Sequence, residues 1–308
     1  MFKFFKSSDY FNFMGIHKIC FIISVCVILL SIVSFFVNKL SFGIDFTGGL
    51  LFDITVKDNK DIADLRNNFL KNNFKDFNIQ SYGDNGFIIR MSEKEIMLNS
   101  NENTNQTESV KMIKNMINTF FNGDVRYNKI DFVGPQIGKE LIIKGLIALV
   151  LSLIVIMLYI WIRFEFEFGL GALITLFHDV IIVFGIYSIF GIEFDLTSIA
   201  AILTVVGYSI NDTVVIYDRI REFLPKYKKE GMTAVINRSL STTLRRTLLT
   251  SSTTLLSLLI LVILGGESIK NFSFMVFIGI IIGTYSSIYI SAPILLYVGV
   301  NSKKLKQS

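Results

Sequence analysis

Apolar residues in this chain come in long unbroken runs, and the polar residues are gathered into a few blocks between them. Runs near the ~20 residues needed to cross a bilayer fall at Ile19–Val37, Leu141–Ile162, Phe168–Phe190, Leu196–Tyr217, Thr247–Leu264 and Phe272–Val298. The pattern predicts a polytopic α-helical membrane protein with six transmembrane helices. The first run is too long for the apolar core of a cleaved leader, and Phe35, Phe36, Val37, Asn38 and Lys39 follow it in place of small residues, so it is expected to stay as an anchor.

The one large polar block, Asn38–Glu140, is about 100 residues, enough for a small domain. Within it Leu50–Val56, Phe77–Tyr82, Gly86–Met91 and Val125–Phe132 read as strands, with a hairpin turn at Gly83–Gly86. Asp61–Phe74 reads as a helix with Ile62, Leu65, Phe69 and Leu70 on one face, and Glu108–Phe121 as another through Val110, Ile113 and Ile117. The order predicts a split βαβ, ferredoxin-like α+β domain between helices 1 and 2. Asn99–Thr107 is polar and of low complexity, and is expected as a loop.

Charge sets the orientation. Lys3, Lys6 and Lys18 precede the first run, a dense basic set from Arg219 to Arg246 joins the fourth and fifth, and Lys303, Lys304 and Lys306 end the chain. The short connections at Gly191–Asp195 and Gly265–Asn271 carry only Lys270. Residues 1–18 and 299–308 are therefore expected in the cytoplasm and residues 38–140 outside it. This sorting accounts for the net charge of +5 without a nucleic-acid surface. Cys20 and Cys26 stand about 9 Å apart along one helix, beyond disulfide reach. The two histidines, His17 and His178, form no metal-ligand set with cysteine. Without a metalloprotease helix, a phosphate-binding lysine loop or a nucleophile elbow, the expectation is a protein that is not an enzyme and holds no cofactor.

The chemistry is expected in the apolar runs, where a carboxylate costs roughly 2.5–3.5 kcal/mol and is kept for ion or proton traffic. Asp212 is such a residue. Tyr208, Asn211, Asp212 and Val215 recur at helical spacing and predict one polar face, with Gly207 and Ser209 letting a neighbour approach. Asp212 lies about 7–8 Å inside the end of its helix. If the next helix starts near Leu240, Arg246 lies at matched depth, and the two alternate between an ion pair and, once the carboxylate is protonated, a released arginine. The competing reading is a static pair, or a snorkelling Arg246. His178 and Asp179 form a second ionisable spot at depth, read either as a proton relay or as interhelical hydrogen-bond glue. Gly279 and Gly283 predict close helix packing, and Pro293 a kink.

Several stretches together resemble the SecD/SecF family of the bacterial Sec translocase, within the resistance-nodulation-division superfamily, and specifically its SecF side. They are GIDFTGG (Gly43–Gly49), VGPQIGKEL (Val133–Leu141), RFE and HDV (Arg163–Glu165, His178–Val180), GYSINDTVVIYDRIRE (Gly207–Glu222), RRTLLTS (Arg245–Ser251), GGESIKNFS (Gly265–Ser273) and GTYSSIYIS (Gly283–Ser291). The resemblance covers nearly the whole chain. It implies that Asp212 is the proton-pathway aspartate and Arg246 the functional arginine. The implied activity is a pull on unfolded preproteins driven by the proton motive force, with protons or sodium as coupling ion. The implied partners are SecD, SecYEG, YajC and YidC, in the bacterial inner membrane. Two other classes compete: an exporter of lipids or small molecules, which is expected to carry two duplicated six-helix halves, and a passive assembly subunit. Gly43, Gly48 and Gly49 read as turn residues where the chain leaves the membrane, against a binding role for Asp45 or Thr47.

Overall fold

A computed structural model describes residues 11–57, 61–83, 85–98, 106–227 and 229–299. The chain forms two compact units, Phe42–Ile147 and the segments on either side of it.

Among the described residues of the second of these, six helices are long and apolar enough to cross a membrane. They are built on α1 (His17–Asn38), α6 (Pro135–Arg163, whose first part belongs to the other unit), α7 (Phe166–Phe190), α8 (Leu196–Lys226), α9 (Met232–Leu264) and α10 (Glu267–Ser286). The last continues through a π-helical turn (Ser287–Ser291) into α11 (Ala292–Val298). The apolar windows of α7, α8 and the α10–α11 span are 50, 50 and 56% buried, against 22, 11 and 17% for α1, α6 and α9. The first three therefore form the centre, and the others present apolar side chains outward, as lipid-facing helices do.

Close approach at the centre depends on small residues. A Cβ on Gly279 would stand 2.1 Å from Val205 Cγ2, and one on Gly283 2.9 Å from Ser209 Cβ, so α10 lies directly on α8. At one end of the bundle Tyr217 meets Phe164 and Phe168 edge to face, at centroid distances of 5.9 and 5.1 Å, while the two phenylalanine rings are tilted to each other at 6.0 Å. The span is interrupted by the π turn, and Pro293 lies in the first turn of α11 that follows it.

Two helices run past their apolar windows. α8 continues beyond Tyr217 to Lys226, and α9 starts at Met232, well before Thr247. The added part of α9 is amphipathic: Val235, Ile236, Ser239, Leu240 and Thr243 are buried at helical spacing. A short turn, Phe13–Gly15, docks on it. Met14 N donates to Asn237 Oδ1 (2.9 Å), and Asn237 Nδ2 donates to Asn12 Oδ1 (3.1 Å).

The Phe42–Ile147 unit contains a four-stranded antiparallel sheet in the order β3–β4–β2–β5, from β2 (Gly49–Val56), β3 (Phe77–Tyr82), β4 (Gly86–Met91) and β5 (Val125–Val133). The two-residue strands β1 (Ser41–Phe42) and β6 (Glu193–Phe194) lie outside this sheet. Alternation along β2 sends Phe52, Ile54 and Val56 into a core with Leu65 and Phe69 of α3 (Ile62–Lys71) and Ile113 and Ile117 of α5 (Gln106–Phe120). Asp61 caps α3, accepting from Ala63 N at 3.2 Å. A short helix α4 (Glu93–Leu98), not expected from the sequence, follows β4. Residues 99–105 of the Asn-rich stretch lie outside the described residues, and Gln106 and Thr107 already belong to α5.

The GIDFTGG stretch forms a single helical turn, α2 (Ile44–Thr47), and then Gly48 and Gly49 at positive φ (72° and 129°). A side chain at Gly49 would collide with the Met91 carbonyl oxygen, 2.2 Å from its Cβ position, so glycine is required there. Thr47 Oγ1 donates back to the Gly43 carbonyl at 3.1 Å.

A buried polar strip in the membrane helices

Asp212 lies on α8, whose start is fixed by a capping box. Asp195 Oδ1 accepts from Ser198 N at 2.8 Å, and Asp195 N donates to Ser198 Oγ at 3.0 Å. From that start the helix turns Ser209, Asp212 and Thr213 inward, and Asp212 is only 3% exposed. Asn211, one residue earlier and therefore about 100° round the helix, is exposed, as is Gly207. The single polar face expected for Tyr208, Asn211 and Asp212 is thus two faces: Asp212 looks into the bundle and Asn211 away from it.

Arg246 sits on the neighbouring helix α9 and acts electrostatically on the Asp212 carboxylate. Its side chain is exposed on this chain, whereas Thr247 beside it is buried. Among the described residues Asp212 Oδ2 is buried and has no hydrogen-bond partner. α8 and α9 are also tied by Tyr208, whose hydroxyl donates to the Thr250 carbonyl (2.8 Å) and pairs with Thr254 Oγ1 (2.8 Å).

His178 and Asp179 on α7 are more deeply buried, at 3% and 0% exposure. His178 Nδ1 lies 2.8 Å from Asp179 Oδ1. Asp179 Oδ2 accepts from Ser209 Oγ of α8 (2.5 Å) and Ser286 Oγ of α10 (2.9 Å). In the π turn, Ser287 Oγ donates to the Ser209 carbonyl (3.2 Å) and pairs with Thr213 Oγ1 (3.0 Å). Asp179 therefore ties three helices together, and one of the two hydroxyls it uses, Ser209, lies one turn before Asp212 on α8. In the sequence Ser209 reads only as a small packing residue. The signal for it is position, one helical turn before Asp212 and on the same face.

Gly43, Asp45, Thr47, Gly48 and Gly49 belong to the other unit. Among the described residues no group of three or more His, Cys, Asp or Glu is placed to hold a metal ion.

Two family models match this chain. Residues 112–301 match the protein export membrane protein SecD/SecF C-terminal model, and residues 33–60 the SecD/SecF GG motif. The protein named protein translocase subunit SecF of Rickettsia rickettsii (strain Sheila Smith) is 44% identical over 287 residues, covering 92% of this chain and 91% of that protein. Its counterpart in Rickettsia bellii (strain OSU 85-389) is 45% identical, covering 92% of each. Among solved structures, SecDF of Thermus thermophilus, described as a translocon-associated membrane protein, matches with a TM-score of 0.83 at 32% identity over 95% of this chain. A second SecDF structure, in a super-membrane-facing form, gives 0.67 at the same identity over 94%. This chain spans 39% of the length of each SecDF chain. With a family model covering more than half its length and relatives alike over 92% of it, the chain belongs to the SecD/SecF family of protein-export membrane proteins, on its SecF side.

Proposed function

We propose that this chain works with SecD as an accessory subunit of the Sec translocase, using the proton motive force to complete preprotein export, and that Asp212 is its proton-carrying group. The observation that carries this reading is the state of Asp212: a carboxylate buried in an apolar helix, one oxygen without a partner, with an arginine acting on it from the adjacent helix. Leaving a buried charge so poorly satisfied costs several kcal/mol, which is tolerable where the group exchanges a proton as part of its work. One charge crossing ~150 mV releases about 3.5 kcal/mol, enough to bias a two-state element by a factor of several hundred.

In this reading Arg246 is the residue released when Asp212 is protonated, and Asn211 lies on the outward face of α8 that a partner helix covers. The Phe42–Ile147 unit, whose strand order fits a ferredoxin-like fold, is the extracytoplasmic domain that handles unfolded preprotein. Both termini are cytoplasmic, as the basic flanks imply. SecYEG supplies the emerging substrate, YajC and YidC are further partners, and the coupling ion is the proton with sodium as the competitor.

The test is gradient-driven completion of preprotein export in vesicles carrying SecD with either the parent chain or Asp212→Asn, which keeps shape and hydrogen bonding but does not titrate. Intact assembly with lost gradient-dependent export is the expected result. Unchanged export would make the buried aspartate structural. Replacing the proton gradient by a sodium gradient separates the two ions.

A further inference from the structure

Beyond Asp212, the cluster on α7 holds groups that packing alone leaves unexplained. His178 Nε2 is buried and has no partner among the described residues, although its ring is 3% exposed. An orphaned buried ring nitrogen is costly and rare enough to require a reason. It stands beside a carboxylate that accepts three hydrogen bonds from three sources, next to a π turn, a distortion frequent at functional sites.

We infer that His178 and Asp179 form a second proton-binding site, whose occupancy is transmitted to Asp212 through the hydroxyls of Ser209, Ser286, Ser287 and Thr213. This rests on the proton-coupling reading of Asp212. A proton arriving at His178 Nε2 makes an imidazolium; transfer of its Nδ1 proton to Asp179 Oδ1 leaves a neutral imidazole protonated at Nε2 and a neutral carboxylic acid. A neutral acid is a weaker acceptor than a carboxylate, so the bonds from Ser209 and Ser286 weaken together, and with them the ties of α8 and α10 to α7. Ser287, adjacent to Ser286, holds Thr213, the neighbour of Asp212. The same local event therefore loosens the packing around Asp212.

The ionisable groups on the surrounding helices include Asp212, Tyr208 and Tyr217 on α8, the last facing Gly171 of α7, Arg246 on α9, and Tyr285 and Tyr289 around the α10 end and π turn. From α1 the side chains buried towards α7 are the hydroxyls Ser31 and Ser34, Ser34 pairing with Ser188 at 3.0 Å, and Cys20 lies by Tyr285. The imidazole favours a proton over a hard cation, which takes oxygen ligands.

The experiment uses the complex with SecD in vesicles, reading proton uptake with a pH dye and gradient-driven export as a function of pH. Asp179→Asn is expected to lower both by about tenfold. The double variant Asp179→Asn with Asp212→Asn should be no worse than Asp212→Asn alone, as two groups on one route require. Ser286→Ala, which keeps both titrating groups but removes one donor to the carboxylate, should displace the pH profile by about one unit. If Asp179→Asn does not assemble, Ser286→Ala and Ser209→Ala decide. Loss of activity in Asp212→Asn together with a parent-like flux and pH profile in Asp179→Asn, or in both serine variants, overturns the second site while leaving the first standing. Parent-like behaviour of Asp212→Asn itself overturns the reading on which it rests.

Discussion

Substituting Gly279 by alanine tests whether the contact between α8 and α10 holds the bundle centre. The added Cβ would lie 2.1, 2.8 and 3.0 Å from Val205 Cγ2, Cγ1 and Cβ, well inside the 3.5–4.0 Å optimum between carbons. Val205 is 1% exposed and, being β-branched in a helix, has essentially one χ1 rotamer; neither methyl can swing aside, so the helices must separate. Overpacking of this kind costs about 1–3 kcal/mol, offset by up to ~1 kcal/mol of helix propensity gained on replacing glycine. The net expectation is a loss of about 1–2 kcal/mol, read as a lower unfolding midpoint of the detergent-purified protein. Gly207→Ala on α8, where a Cβ meets nothing within 4 Å, should leave the midpoint unchanged or slightly raised. Adding Val205→Ala to Gly279→Ala should recover part of the loss, a coupling that two independent substitutions would lack. Equal midpoints for the Gly279 and Gly207 variants would refute the close-contact account of this interface.

Removing the cap of α8 by Asp195→Ala should cost about 1 kcal/mol and speed amide exchange in the first turn, around Ser198, while the middle of α8 keeps its protection; uniform loss along the helix would contradict a local role. In the sheet domain burial pushes the Tyr127 hydroxyl up to about 12 from 10.0. Because the folded value is the higher one, the neutral tyrosine's contribution is fully present below pH 10 and is lost as pH rises from 10 through about 12. The difference in 295 nm absorbance between the parent and Tyr127→Phe should therefore titrate near 12, and a midpoint near 10 would place that hydroxyl in water.

How much of this was legible in the sequence depends on which physical force left its mark there. Crossing hydrocarbon demands about twenty consecutive apolar residues, so six runs could be read directly. The amphipathic start of α9 carries Arg238, Arg245 and Arg246 beside its buried stripe and Asn237 within it, and its mean polarity hides it from a hydropathy window. The strands of the smaller domain were legible because alternation along Gly49–Val56 is enforced by one buried face. The short α4 has too few turns to show a period. The π turn was not legible at all, since it arises from how Ser287 and Ser291 meet Ser209 and Tyr217 on another helix.

The same limit explains why Asn211 and Asp212 were first placed together. Periodicity says which residues share a face, but adjacent residues differ by only ~100°, and both flank the same seam between helices. What separates them is the neighbour each meets. Asp212 faces an interior supplied by this chain, where Ser209, Thr213 and the serines of the π turn give the helices polar ties close to it. Asn211 and Arg246 face outward, and in a helix at membrane depth an exposed amide or guanidinium is stable only against water, headgroups or another polar helix. Asp212 is thus buried within this chain, whereas Arg246 lies on its surface. Under the function proposed above, a second membrane subunit would cover Arg246 and Asn211 and so close the Asp212–Arg246 pair off from the bilayer.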